Sequence, residues 1–138
     1  MMEIIVPHQI KKKEFGAVVP EEARKIFSKL KEKPAIAVGI ASPGLPARVT
    51  LHKLYATTDR GARRLLFFCR HPEVTIAGTG AILPERWVLL FYRDKSDSIG
   101  KNMTPRNPEF AEQLPKKLRA AIDDIANSTA TDQKFDIF

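Results

Sequence analysis

The sequence predicts an α+β fold, a small twisted antiparallel sheet with N-terminal helices and a C-terminal helix packed on one face of it. Three observations carry this expectation. Behind Pro20, Ala23, Ile26, Phe27 and Leu30 recur at helical spacing, while Arg24, Lys25, Lys29, Lys31 and Lys33 occupy the other faces. Leu65–Cys69 and Trp87–Tyr92 are unbroken apolar runs, short and rich in aromatic residues, as strands covered on both faces are. After Asn107 and Pro108 a second amphipathic stretch places Phe110, Leu114, Leu118, Ala121, Ile122 and Ile125 in one stripe.

Taken in order, Glu3–Val6 is a short β-like piece ended by Pro7, and Lys11–Lys13 is a solvated loop or a phosphate-contact patch. Pro20 suits a first helical position, with Glu21 and Glu22 complementing the helix dipole. Pro34 ends that helix. Ala35–Ala41 fits a short buried helix or a strand, with a helical turn preferred, and Ser42–Pro46 is a loop. Arg48–Tyr55 alternates, with Val49, Leu51 and Lys53 on one side and Thr50, His52 and Leu54 on the other. Thr57–Gly61 supplies a turn into a second strand, Ala62–Arg70. His71–Pro84 is either an extended arm of that hairpin or a loop. Pro115 should kink or split the C-terminal helix. The expected domain is 1–127, followed by a tail, 128–138, whose last residues either dock on the body or stay free.

With 138 residues, 43% hydrophobic and 28% charged, the chain has the make-up of one globular domain able to bury its own core. A single cysteine excludes a disulfide framework and points to the cytoplasm. No apolar run approaches a signal peptide core or a membrane span. Residues 1–70 hold 14 Lys/Arg against 6 Asp/Glu, whereas residues 71–138 hold 9 against 10. The basic excess lies in the first half and points to a polyanion partner.

P-loop and dinucleotide-binding fingerprints are absent, as is a carboxylate pair placed for glycoside chemistry. One cysteine beside one histidine, Cys69 and His71, does not make a metal site, and no metal or cofactor is expected. The remaining chemistry is cationic. His52 and Lys53 share one strand, Arg63 and Arg64 open the next, and Arg93 and Lys95 end the third. Converging on one face, they would suit a phosphodiester: Arg and Lys neutralise charge on the phosphorane, and His52 or a lysine moves the proton of a ribose 2′-hydroxyl. Tyr55 and Tyr92 could stack on a base or serve as aromatic packing.

The stretches LHKLYATTDRGARRLLFFCR and WVLLFYRDKSDSIGKNMTPRNPEF, with the helix at Pro20–Lys33, resemble the RelE/ParE/HigB toxins of bacterial toxin–antitoxin systems. The resemblance covers Val19 to Ile125. It implies a metal-independent, ribosome-dependent mRNA endonuclease that is neutralised by a cognate antitoxin, with catalytic cations at Lys53, Arg64, Arg93 and Lys95. His52 is added from the residue chemistry alone, and Arg60, Arg63 and Tyr92 are expected to contact RNA. ParE-like members imply the alternative, a non-enzymatic inhibitor or regulator that binds protein or nucleic acid. Three departures stand out. His71–Pro84 is longer than the family's tight hairpin, residues after Asn127 are additional, and the C-terminal aromatic appears only as Phe135 or Phe138, neither able to transfer a proton.

Overall fold

The computed structural model describes residues 2–40, 45, 48–100 and 103–138. The chain opens with β1 (Met2–Pro7), then α1 (His8–Glu14), α2 (Glu21–Glu32), a 3-10 turn (Pro34–Ile36) and β2 (Val38–Ile40). It continues through β3 (Thr50–Thr57), β4 (Arg63–His71), β5 (Val74–Thr75), β6 (Ile82–Leu83) and β7 (Glu85–Asp94), and closes with α3 (Pro108–Ala126) and β8 (Phe135–Ile137). Six strands form one sheet in the order β2-β3-β4-β7-β1-β8, and β5 and β6 pair separately. The result is a mixed α+β fold with a mostly antiparallel sheet.

Two features of the sheet differ from expectation. β1 runs parallel to β7, with Ile4 beside Trp87, so the sheet is not wholly antiparallel. The helices also lie on both faces rather than one. On one face, Ile4, Val6, Leu66, Phe68 and Leu89 meet Ala23, Ile26, Phe27 and Leu30 of α2. On the other, Ile5, Leu65, Phe67, Val88 and Phe91 meet Phe110, Leu114, Leu118 and Ala121 of α3. The cause is visible in the strands themselves. Leu65–Cys69 and Trp87–Tyr92 are buried at every position, which requires cover on both sides, and a parallel pair is at home in a sheet so covered. A bulge opposite Phe67 and Phe68 leaves Leu90 without a cross-strand partner. Leu90 and Phe91 consequently pack into the same α3-side cluster despite being adjacent in sequence.

The remaining elements follow from local chemistry. Lys11–Lys13 belong to α1, not to a loop, and Lys11 pairs with Asp136 at 2.9 Å. Pro20 caps α2, whose buried residues are the four expected. Ala35–Ala41 divides between the 3-10 turn and β2, with Ala41 outside the described residues, as is the Ser42–Pro46 loop except for Leu45. The His71–Pro84 segment forms a short paired arm. Asn107 caps α3 by accepting hydrogen bonds from the Glu109 and Phe110 amides. Pro115 lies inside one continuous helix and does not split it. A proline inside a helix, through its lost hydrogen bond and its ring's crowding of the preceding turn, costs about 3 kcal/mol, which the packing of Phe110, Leu114, Leu118 and Ala121 on either side of it offsets. Ile122 departs from the expected stripe and is 60% exposed, while Lys117 is buried. Residues 128–138, set apart above as a tail, complete the same sheet. β8 pairs antiparallel with β1, and Phe138 packs 5.5 Å from Phe27.

Candidate nucleic-acid interface

Strand alternation decides which cations can act together. Leu51 faces α3 and Leu54 faces α2, so Lys53 and Tyr55 project to the α3 side and His52 to the α2 side. On β4, Leu65 and Phe67 face α3, which puts Arg63 with Tyr55 and Arg64 on the opposite face. Arg63 stands opposite Thr57, and its carbonyl accepts the Lys95 amide at 3.1 Å. Lys95 is thereby brought over the Tyr55 ring, its Nζ 5.2 Å from the centroid, while the Lys53 Nζ lies 5.7 Å from the same centroid. Tyr55 is 51% exposed. A groove of about 330 Å³ runs beside it, lined by Tyr55, Ala56, Thr57, Arg63, Arg64 and Lys95. Among the described residues no carboxylate pairs with Lys53, Arg63 or Lys95, and none of the residues left undescribed is acidic.

The other expected site residues have different duties. Arg64 donates from Nε to Glu22 Oε1 at 3.2 Å and from Nη1 to Asp94 Oδ2 at 2.7 Å. Burial is the largest influence and opposes its charge, but the Glu22 hydrogen bond and the negative charges around it, Glu22 and Asp94 among them, together outweigh burial and raise the guanidinium pKa above its ordinary value. Tyr92 is buried, its hydroxyl donating to Glu22 at 2.9 Å and its ring 4.8 Å from Phe15. Burial, reinforced by Glu22, pushes the phenol well above the usual tyrosine pKa. Tyr92 cannot stack on a base from that position, and the aromatic residue that can is Tyr55.

His52 is corrected most fully. It hydrogen-bonds Thr50 Oγ1 at 2.8 Å and packs 4.7 Å from Trp87. It stands opposite Phe68, whereas Arg64 stands opposite Ala56. Four residues of strand, about 13 Å, separate the two along the sheet, and Lys53 lies across it. Burial first, then the charge of Arg70, lowers its pKa. Arg60 occupies the exposed turn between β3 and β4, where Gly61 supplies the positive φ and its amide donates to the Thr58 carbonyl at 2.9 Å. It borders a separate groove of about 340 Å³ against α2, shared with Glu21, Glu22 and Asp59, so its surroundings are mixed in charge.

Arg93 anchors a network that sequence reasoning missed. Its Nη2 donates to Glu14 Oε1 at 3.3 Å, and its Nε lies 2.7 Å from the other oxygen without aiming its hydrogen there. Lys117 on α3 donates to the same carboxylate and sits 5.3 Å from the Phe91 ring. Burial lowers the Lys117 pKa against the opposing pull of Glu14. Arg93 also approaches Asp97 at 3.5 Å, and Asp97 Oδ2 accepts the amides of Ile99 and Gly100 at 3.0 and 3.3 Å. The network thus ties the end of β7 and the turn after Lys95 to α1 and α3. The sequence signal was Lys117 itself, a charged residue falling on the inward side of an apolar stripe.

Cys69 and His71 approach within 3.7 Å, but burial pushes the thiol up to about 11, leaving it a poor nucleophile. Among the described residues no group of three or more His, Cys, Asp or Glu side chains could hold a metal ion, and no helix is long and apolar enough to cross a membrane. No protein-family model, curated protein or solved structure matches the chain.

Proposed function

We propose that this protein is an RNA-binding toxin of the RelE-like kind whose RNA contact is centred on Tyr55. The observation that carries this is the half-exposed Tyr55 ring flanked by Lys53 and Lys95, with Arg63 alongside and, among the described residues, no carboxylate paired to any of the three cations. A base stacked on an aromatic side chain contributes about 1–3 kcal/mol, and flanking cations engage the neighbouring phosphates. Single-stranded RNA, whose bases are free to splay out, is the form such a surface accepts. A cognate antitoxin with an acidic segment would compete for the same cations.

Ribosome-dependent mRNA cleavage is the activity that the resemblance implies. Here it would use Lys53, Arg63 and Lys95 to stabilise the phosphorane as the ribose 2′-oxygen bonds to phosphorus and the bond to the 5′-oxygen breaks. The 2′-hydroxyl proton would pass to solvent, and a protonated lysine would give its proton to the leaving 5′-oxygen. The non-enzymatic alternative draws support from one observation: neither histidine nor carboxylate accompanies the Tyr55 cluster, and His52 faces the other side of the sheet.

Inducible expression in a bacterial host, with primer extension on abundant mRNAs, tests both forms against Lys53→Ala/Tyr55→Ala/Lys95→Ala. Growth arrest with new cleavage ends, both lost in the triple variant, is the expected result. Arrest without cleavage favours the non-enzymatic form. Cleavage that persists in the triple variant removes Tyr55 from the site.

A further inference from the structure

Among the described residues, the α3 face of the sheet is incompletely covered at the end away from Tyr55. Between α3 and strands β4 and β7 lies an apolar groove of about 200 Å³, walled by Cys69, Val88, Leu90, Leu118 and Ile125, with the exposed Ile122 among its lining residues. His71 also lines it, and the cross-strand partner of His71 is Arg86. Arg86 precedes Val88 by two residues and shares its face. The Nε of Arg86 is buried and has no hydrogen-bond partner. The carboxylate next to it in sequence, Glu85, belongs to Arg70. Glu3 is its neighbour on β1 but makes no ion pair with it. Across the strand pair from His71, beside the groove rather than in its wall, stands a guanidinium that nothing among the described residues neutralises.

We propose that this groove receives an acidic, apolar peptide segment of a protein partner, one or two aliphatic side chains entering the slot and a carboxylate pairing with Arg86. Several properties favour a peptide. The volume is below the roughly 300–1,000 Å³ usual for small-molecule pockets, and exposed Ile122 extends the apolar surface beyond the slot. The slot offers a nucleic acid no Phe, Tyr or Trp ring to stack on. The net charge of +7 favours an acidic partner in encounter, and a desolvated Arg–carboxylate pair supplies specificity.

The test is selection of a phage-displayed random peptide library on the full chain, followed by affinities of the synthetic peptides for wild type, Arg86→Gln and Ile122→Asp. Ile122 is exposed, so its replacement leaves the fold intact. Enriched peptides should combine aliphatic residues with Asp or Glu, and each substitution should weaken them by about tenfold or more. Absence of enrichment, peptides without an acidic residue, or unchanged affinity in the variants would overturn the proposal. So would a dimer in sedimentation that Ile122→Asp dissociates, because a second copy would then fill the groove. RNA affinity of the same variants is measured alongside, so failure of the Tyr55 assignment is read separately.

Discussion

Glu14 of α1 holds Arg93 of β7 and Lys117 of α3 with a single carboxylate that is 1% exposed. One acid thereby joins two helices to the strand end that precedes Lys95. Removing it strands the almost fully buried Lys117 and leaves Arg93 only its 3.5 Å contact with Asp97. Glu14→Ala is expected to cost about 3–5 kcal/mol, as breaking a buried pair does. Chemical denaturation measures the loss, and Lys25→Ala, which breaks only exposed pairs with Asp59 and Glu21, should leave the midpoint nearly unmoved.

Tyr55 and the two lysines should separate cleanly by salt dependence. For single-stranded nucleic acid, each phosphate neutralised contributes about −0.7 to the slope of log affinity against log salt. Lys53→Ala and Lys95→Ala should each flatten that slope by about this amount. Tyr55→Ala should weaken binding by about 1–3 kcal/mol at every salt concentration without changing the slope. Fluorescence anisotropy on a labelled RNA decides, and equal slopes in all variants would sink the phosphate contacts.

His52 should matter to folding and not to RNA. Its native pKa is held below 6.5, by burial first and by Arg70 second, so the unfolded chain binds the extra proton more readily. The contribution is fully present above pH 6.5 and is lost as pH falls from there through the native value. His71, lowered in the same sense, adds to the trend. His52→Gln should reduce the pH slope of stability while leaving RNA affinity unchanged. NMR titration placing the His52 midpoint at or above 6.5 would contradict this.

Phe135 and Phe138 should both register as stabilising residues. They pack against the clusters on the α3 and α2 faces respectively. Replacing either with alanine should cost less than about 3 kcal/mol, since each is only partly buried. Limited proteolysis should then open the chain near 128–134 first.

The elements themselves were largely legible. Pro20 and Asn107 announced their helices, and Leu65–Cys69 and Trp87–Tyr92 announced buried strands, because local spacing and capping determine such features. The site was less legible because it depends on pairing. Alternation already put His52 and Lys53 on opposite sides of their strand, but which cations of β4 and β7 share a face with each is set by pairing, and a bulge beyond sequence reading changes the alternation at Leu90. Arg64 and Arg93 read as free cations until distant Glu22 and Glu14 are brought beside them. Tyr55 and Tyr92, which share one reading in the sequence, part company because burial, not residue type, separates them.

The position of β1 has a kinetic consequence. Ile5 pairs with Val88 on one side and Ile137 on the other, so β1 waits for β7 to satisfy one edge and for β8 to satisfy the other. The β3–β4 hairpin can close early through its own turn, whereas β1 must close long loops whose entropy is lost before its contacts form. During that interval its apolar residues, Ile4, Ile5 and Val6, stand as an unpaired edge, which makes the nascent protein most vulnerable to misassociation before β7 and β8 arrive.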